Sequence, residues 1–216
     1  GRTIFNNMRK FVTYELSCNY AEIFIIFLGI LIGLPLPLLA IQILFMNIVT
    51  DDLPAITLGL NPSSKDIMKN KPRKNSKILS KEVITMLIIA GTIMGLGTLG
   101  VFYFVLEIFG QDVAIARTTA FVSLIFFVIA NAFNLRSFRK GVLGRSLFVN
   151  KYLAYASAIS IIATLLIIYT PLNTLFETTP ISLTYFLIAL VPTFSVIVIF
   201  DILKRINEKK HFWEEY

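Results

Sequence analysis

Apolar residues along this chain run in long blocks instead of alternating or recurring once per turn. Uncharged stretches at Ile23 to Thr50, Val83 to Leu106, Thr118 to Leu135, Tyr152 to Phe176 and Thr178 to Phe200 each reach or approach the roughly 20 residues with which a helix crosses a bilayer. The first is too long for one crossing and is interrupted by Gly33-Leu34-Pro35-Leu36-Pro37, a turn-forming run. It divides into two spans sharing a tight hairpin, at about residues 14–33 and 38–57, counting roughly 20 residues each way from the turn. Four more spans follow at about residues 83–106, 118–135, 152–168 and 183–200, each near the roughly 20-residue crossing length. The pattern predicts an all-α membrane protein, a bundle of six transmembrane helices.

Composition agrees: 56% hydrophobic residues, 15% charged and a mean hydropathy of +0.76 exclude a soluble core, a disordered chain, a secreted disulfide scaffold and a nucleic-acid-binding module. Cys18 and His211 each stand alone, so the chain cannot form a disulfide or a thiolate metal site within itself. The net charge of +7 is informative by its placement. Arg2, Arg9 and Lys10 precede the first span; Lys65, Lys69, Lys71, Arg73, Lys74, Lys77 and Lys81 lie between the second and third. Arg136, Arg139, Lys140, Arg145 and Lys151 lie between the fourth and fifth, and Lys204, Arg205, Lys209 and Lys210 end the chain, leaving only Arg117 on the other side. The positive-inside rule then places both termini and the two basic loops in the cytoplasm. The loop at 61–81 reads equally as a topology signal touching anionic lipid or as a docking segment for a cytoplasmic domain. Gly1 to Lys10 are polar and no Met opens the chain, which is the expectation for a piece of a longer polypeptide.

Against this background the polar residues inside the spans stand out. Glu22 and Asn47 each lie on the order of 15 to 17 Å from the hairpin, the midplane of a core about 30 Å thick. Asn19 and Glu22 share one helix face as i and i+3; Asn47, Thr50 and Asp51 share another as i, i+3 and i+4. Carboxylates, amide carbonyls and a hydroxyl without imidazole or thiol form the ligand set of a hard cation such as calcium. Asn and Thr alone also fit hydrogen bonding between membrane helices. An acidic residue at the centre costs roughly 2.5 to 3.5 kcal/mol on insertion scales, so Glu22 and Asp51 read as functional. Asp52, about 100° around a regular helix from Asp51, would not share its face. Pro54 removes a backbone donor and can free carbonyls one turn earlier, and broken helices at membrane depth are where transporters bind ions. Glu15 reads as a solvated or snorkelling residue near the boundary. Ser123, Asn131 and Asn134 offer only neutral ligands, and Gly91 and Gly95 form a small-xxx-small face for close packing.

The run Gly1-Arg2-Thr3-Ile4-Phe5-Asn6-Asn7 leading to Asn19-Tyr20-Ala21-Glu22, then Met46-Asn47-Ile48-Val49-Thr50-Asp51-Asp52-Leu53-Pro54-Ala55, Leu58-Gly59-Leu60-Asn61-Pro62 and Asn131-Ala132-Phe133-Asn134 resembles the C-terminal membrane region of P-type cation ATPases, closest to the calcium pumps. The resemblance implies that the six spans are the fifth to tenth of ten and that residues 1–12 begin a cytoplasmic stalk, with 13–216 as the membrane domain. It implies that Asn47 and Asp51 ligate a calcium site shared with a fourth helix, and that Asn19, Glu22 and Thr50 serve a second site that Asp51 bridges. Asp52 and Asn131 are additional candidates, and Pro54 marks the helix break. Two departures point to one calcium per cycle, with Glu22 carrying a counter-transported proton: Val128 stands where two-calcium pumps have a Glu, and Asp52 stands where the usual motif has Gly.

The family's phosphorylated Asp-Lys-Thr-Gly motif does not occur in these 216 residues, so ATP and Mg2+ belong to cytoplasmic domains outside them. The partners implied are membrane lipids, the first four helices and the phosphorylation domain of the same pump, reached through residues 1–12 and 61–81. The localisation implied is integral and multi-pass, in the cell membrane if the source is prokaryotic. A proton or monovalent-cation P-type pump, and a stand-alone six-helix accessory protein, are the competing expectations.

Overall fold

The structure, a computed structural model, describes residues 1–62, 77–138, 140–143 and 149–210, the last three as backbone only. Lys65, Lys69, Lys71, Arg73 and Lys74, which carry the docking expectation for the basic loop, lie outside the described residues, as do Arg139, Arg145 and His211.

Six helices among the described residues are long and apolar enough to cross a membrane: α1 (Arg2–Leu31), α2 (Ala40–Gly59), α3 (Lys81–Ile108), α4 (Val113–Leu135), α5 (Lys151–Tyr169) and α6 (Leu183–Asn207). The expected all-α bundle is therefore what forms. Residues 2–12 and the first span are one unbroken helix of 30 residues, Arg2–Leu31. α1 stops because Gly33 turns left-handed, with φ of +79°. The Gly33 and Leu34 amides donate back to the Ile30 and Gly29 carbonyls at 3.0 and 2.9 Å, a glycine-dependent helix end. Gly33→Ala should cost about 1 kcal/mol through the strained backbone, read as a lowered unfolding temperature in detergent.

α4 lies innermost: 72% of its most apolar stretch is buried, against 28% for α6. α3 packs along α1 through its glycines. A Cβ on Gly91 would come within 2.3 Å of the Tyr20 ring and 2.9 Å of the Ser17 carbonyl, and one on Gly95 within 2.6 Å of the Phe24 ring. Tyr20 and Phe24 thus rest on a track of missing side chains, as the small-residue spacing predicts. Gly97 does the same for Phe127 of α4, whose ring tip would lie 2.3 Å from a Cβ there.

The bundle end that holds both termini is sealed by polar groups the hydropathy pattern does not reveal. Asn7 of α1 donates to the carbonyls of Gly59 and Asn61, at 3.0 and 2.7 Å. The Asn61 amide donates to the Arg136 carbonyl at 3.2 Å, and Asn150 donates to the Thr57 carbonyl at 2.9 Å. Asp201 of α6 accepts the Val142 and Leu143 amides at 2.7 and 3.1 Å. Gly141 passes so close that a Cβ would sit 2.5 Å from the Asp201 carboxylate. Lys204 donates to the backbone carbonyl of Asn134 at 2.7 Å and to its side-chain oxygen. The basic residues are accordingly more than topology markers: Arg9, Lys10, Arg136 and Lys204 are only 6%, 8%, 2% and 1% exposed; Arg9 donates to the Ser80 hydroxyl at 2.9 Å, and Lys204 ties α6 to the end of α4.

Candidate functional site

The middle of α2 departs from the α-helix. Met46–Asp51 form a π-helical turn, confirmed by the Asp52 amide bonding to the Asn47 carbonyl, five residues back. A π turn inserts one extra residue per turn and is found mostly as a single insertion at functional sites. Its local cause is Pro54. Without an N–H, Pro54 leaves the Thr50 carbonyl without its α-helical partner at i+4 and the Val49 carbonyl without a π-helical partner at i+5. The helix widens instead of unwinding and resumes as α-helix from Asp52 to Gly59.

Within this turn Thr50 and Asp51 are 0% and 1% exposed, and Glu22 of α1 is 5% exposed. The Thr50 hydroxyl bonds to the Met46 carbonyl at 3.0 Å and to Asp51 Oδ1 at 3.2 Å. Asp51 Oδ2 and one carboxylate oxygen of Glu22 are buried without a hydrogen-bond partner. Glu22, Glu15 and Asp52 are the other carboxylates near enough to interact with Asp51. Buried carboxylate oxygens left unsatisfied are costly, and a cation held between two helices is what would satisfy them.

The remaining candidates fall in different places. Asn47 is half-buried, whereas Asn19 and Asp52 are exposed on the surface of this six-helix unit. The expected exclusion of Asp52 from the Asp51 face assumed a regular helix; the helix is π-helical up to Asp51, and Asp52 points outward nonetheless. Asn131 is fully buried, but its amide donates to the Ser17 hydroxyl at 2.8 Å, which makes it a link between α4 and α1, while its side-chain oxygen has no hydrogen-bond partner. Val128 is 1% exposed and supplies no oxygen. Glu15 is not a solvated boundary residue: it is half-buried, with one carboxylate oxygen enclosed and unpartnered. Among the described residues, no group of three or more His, Cys, Asp or Glu gathers to hold a metal; the deep carboxylates are two, and amides, a hydroxyl and backbone oxygens make up the rest of the candidate donors.

Two residues absent from the candidate set touch the π turn. Tyr14 of α1, fully buried, donates to the Thr50 carbonyl at 3.4 Å, and Ser160 of α5, also fully buried, donates to the Val49 carbonyl at 3.3 Å. The available signal was Pro54 itself, which names the two carbonyls in need of donors.

Residues 35–206 match the family described as "Cation transporting ATPase, C-terminus". The chain is 37% identical over 186 residues to "Calcium-transporting ATPase 1" of Bacillus cereus, covering 79% of this chain and 21% of that protein. It is 36% identical over 214 residues to the human "Calcium-transporting ATPase type 2C member 1", covering 97% of this chain and 23% of the relative. It is 32% identical over 213 residues to "Calcium-transporting ATPase 1" of Saccharomyces cerevisiae, covering 98% and 22%. The chain thus spans about a fifth of the length of these relatives. With six apolar helices and a family match across most of its length, the chain belongs to the cation-transporting P-type ATPases, as a calcium-pump-like C-terminal membrane region.

Proposed function

We propose that this chain is the ion-binding and ion-moving part of an ATP-driven calcium pump. The observation that carries the reading is a pair of buried, unpartnered carboxylate oxygens, one from Glu22 of α1 and one from Asp51 at the end of the π turn of α2. Asn47, Thr50 and Asp51 from α2 and Asn19 and Glu22 from α1 supply the oxygens, with Asp51 between the two groups. Calcium takes 6 to 8 oxygens; the exposed Asn19 and Asp52 leave room for further helices of the same pump to complete the shell. One calcium moves per cycle, since buried Val128 adds no ligand, and Glu22 returns a proton. Both termini lie in the cytoplasm, where ATP and Mg2+ are handled by other domains and α1 transmits their movement. The names carried by the relatives support calcium as the ion.

The test is phosphoenzyme formation from ATP by the complete pump, measured against free calcium. Formation that rises with micromolar calcium supports the assignment. Formation indifferent to calcium but dependent on pH or on a monovalent cation would replace it with a proton or monovalent-cation pump.

A further inference from the structure

We infer that Ser160 is a positioning residue for ion binding: from α5, its hydroxyl fixes the backbone of the π turn that presents Asn47, Thr50 and Asp51. The inference rests on the calcium-pump reading and adds a helix that carries none of the ion ligands.

Pro54 leaves two carbonyls short of a donor, those of Thr50 and Val49. Inside a bilayer no water replaces the missing donor, so a neighbouring helix must do so. The two carbonyls that arithmetic singles out are the two that receive hydroxyls: Tyr14 reaches Thr50 from α1 at 3.4 Å, and Ser160 reaches Val49 from α5 at 3.3 Å. The turn is therefore braced from opposite partners, and its ligand-bearing residues lie on either side of the braced carbonyls.

Ser160 sits in a buried stripe with Ser157 and Thr164, which are 5% and 4% exposed. All three hydroxyls bond back to their own helix, at 2.8 Å for Ser157 to Leu153, 3.0 Å for Ser160 to Ala156 and 2.7 Å for Thr164 to Ser160. Ser160 shares its single hydroxyl proton between that bond and the Val49 carbonyl of α2 at 3.3 Å, a bifurcated arrangement. Ser157 thus shares the helix, the face and the local bond of Ser160, and its one hydrogen bond stays within α5. A ligand set held in place before the ion arrives binds more tightly than one that must order on binding, so loss of the brace weakens affinity without touching the chemistry of phosphorylation.

The experiment measures calcium-dependent phosphoenzyme in the complete pump for the wild type, Ser160→Ala, Ser160→Cys and Ser157→Ala. Ser160→Ala should raise the calcium concentration for half-maximal phosphorylation roughly 3- to 10-fold, the size of one net hydrogen bond, at an unchanged maximum per folded protein. Ser160→Cys, close in volume but a weak donor, should shift it less, and it carries the test if Ser160→Ala does not accumulate. Ser157→Ala should leave the midpoint in place. Unchanged midpoints in both Ser160 variants, or an equal shift in Ser157→Ala, would overturn the positioning role. A wild type without calcium dependence would instead overturn the calcium reading beneath it.

Discussion

Asp51→Asn in the complete pump should abolish calcium-dependent transport while leaving the membrane bundle folded. The substitution keeps the shape of the side chain and the oxygen that accepts from Thr50 at 3.2 Å. It replaces the other oxygen, the buried and unpartnered Oδ2, with an amide that turns N–H donors toward the ion. A buried negative charge beside Glu22 is expensive without a cation, so its removal should raise thermal stability slightly while destroying affinity. The affinity loss should exceed the roughly 10- to 100-fold that loss of a mere outer-shell partner costs. Calcium uptake into sealed vesicles and the calcium midpoint of phosphorylation both report it; wild-type uptake by the variant would remove Asp51 from the site.

Gly91→Val is expected to be the most disruptive change away from the carboxylates. Its Cβ would meet the Tyr20 ring at 2.3 Å, which a rotating side chain could relieve, and the Ser17 carbonyl at 2.9 Å, which it could not. Relief requires α1 to move away from α3, and Asn19 and Glu22 lie within five residues of Ser17 on that helix. Overpacking of this kind costs about 1 to 3 kcal/mol, so the unfolding temperature in detergent should fall and the calcium midpoint should rise together. Gly100 of the same helix has open space at its Cβ position; Gly100→Ala should change neither. If the Gly91 variant matched the Gly100 variant, the close approach of α1 and α3 would be wrong.

The six helices were legible because a bilayer imposes one crude requirement, an unbroken apolar stretch of crossing length, and hydropathy measures that directly. Burial was legible where the penalty is largest: Glu22 and Asp51, expensive at membrane depth, are deeply enclosed. What escaped were features set by small local differences. The π turn needs one extra residue in a helix whose apolar content is unaltered, and Pro54 foretold freed carbonyls without saying which helices would satisfy them. Ser160 and Tyr14 carry no positional signal, since serine and tyrosine at such places are ordinary packing residues. Lys204 misled for the opposite reason. Charge counting assigns a lysine to the aqueous side, yet its four-carbon stem lets the ammonium fold back onto the end of α4, where it meets Asn134. Asn131 shows the limit of spacing arguments: it lies at a sensible interval, but its amide already holds Ser17.

The grip of Asp201 on the Val142 and Leu143 amides sets an order on biosynthesis. The connection between α4 and α5 leaves the ribosome some sixty residues before the carboxylate that holds it. A nascent chain stalled anywhere in that interval carries two amides with no acceptor at a place shaped for one, and Gly141 has nothing to close upon.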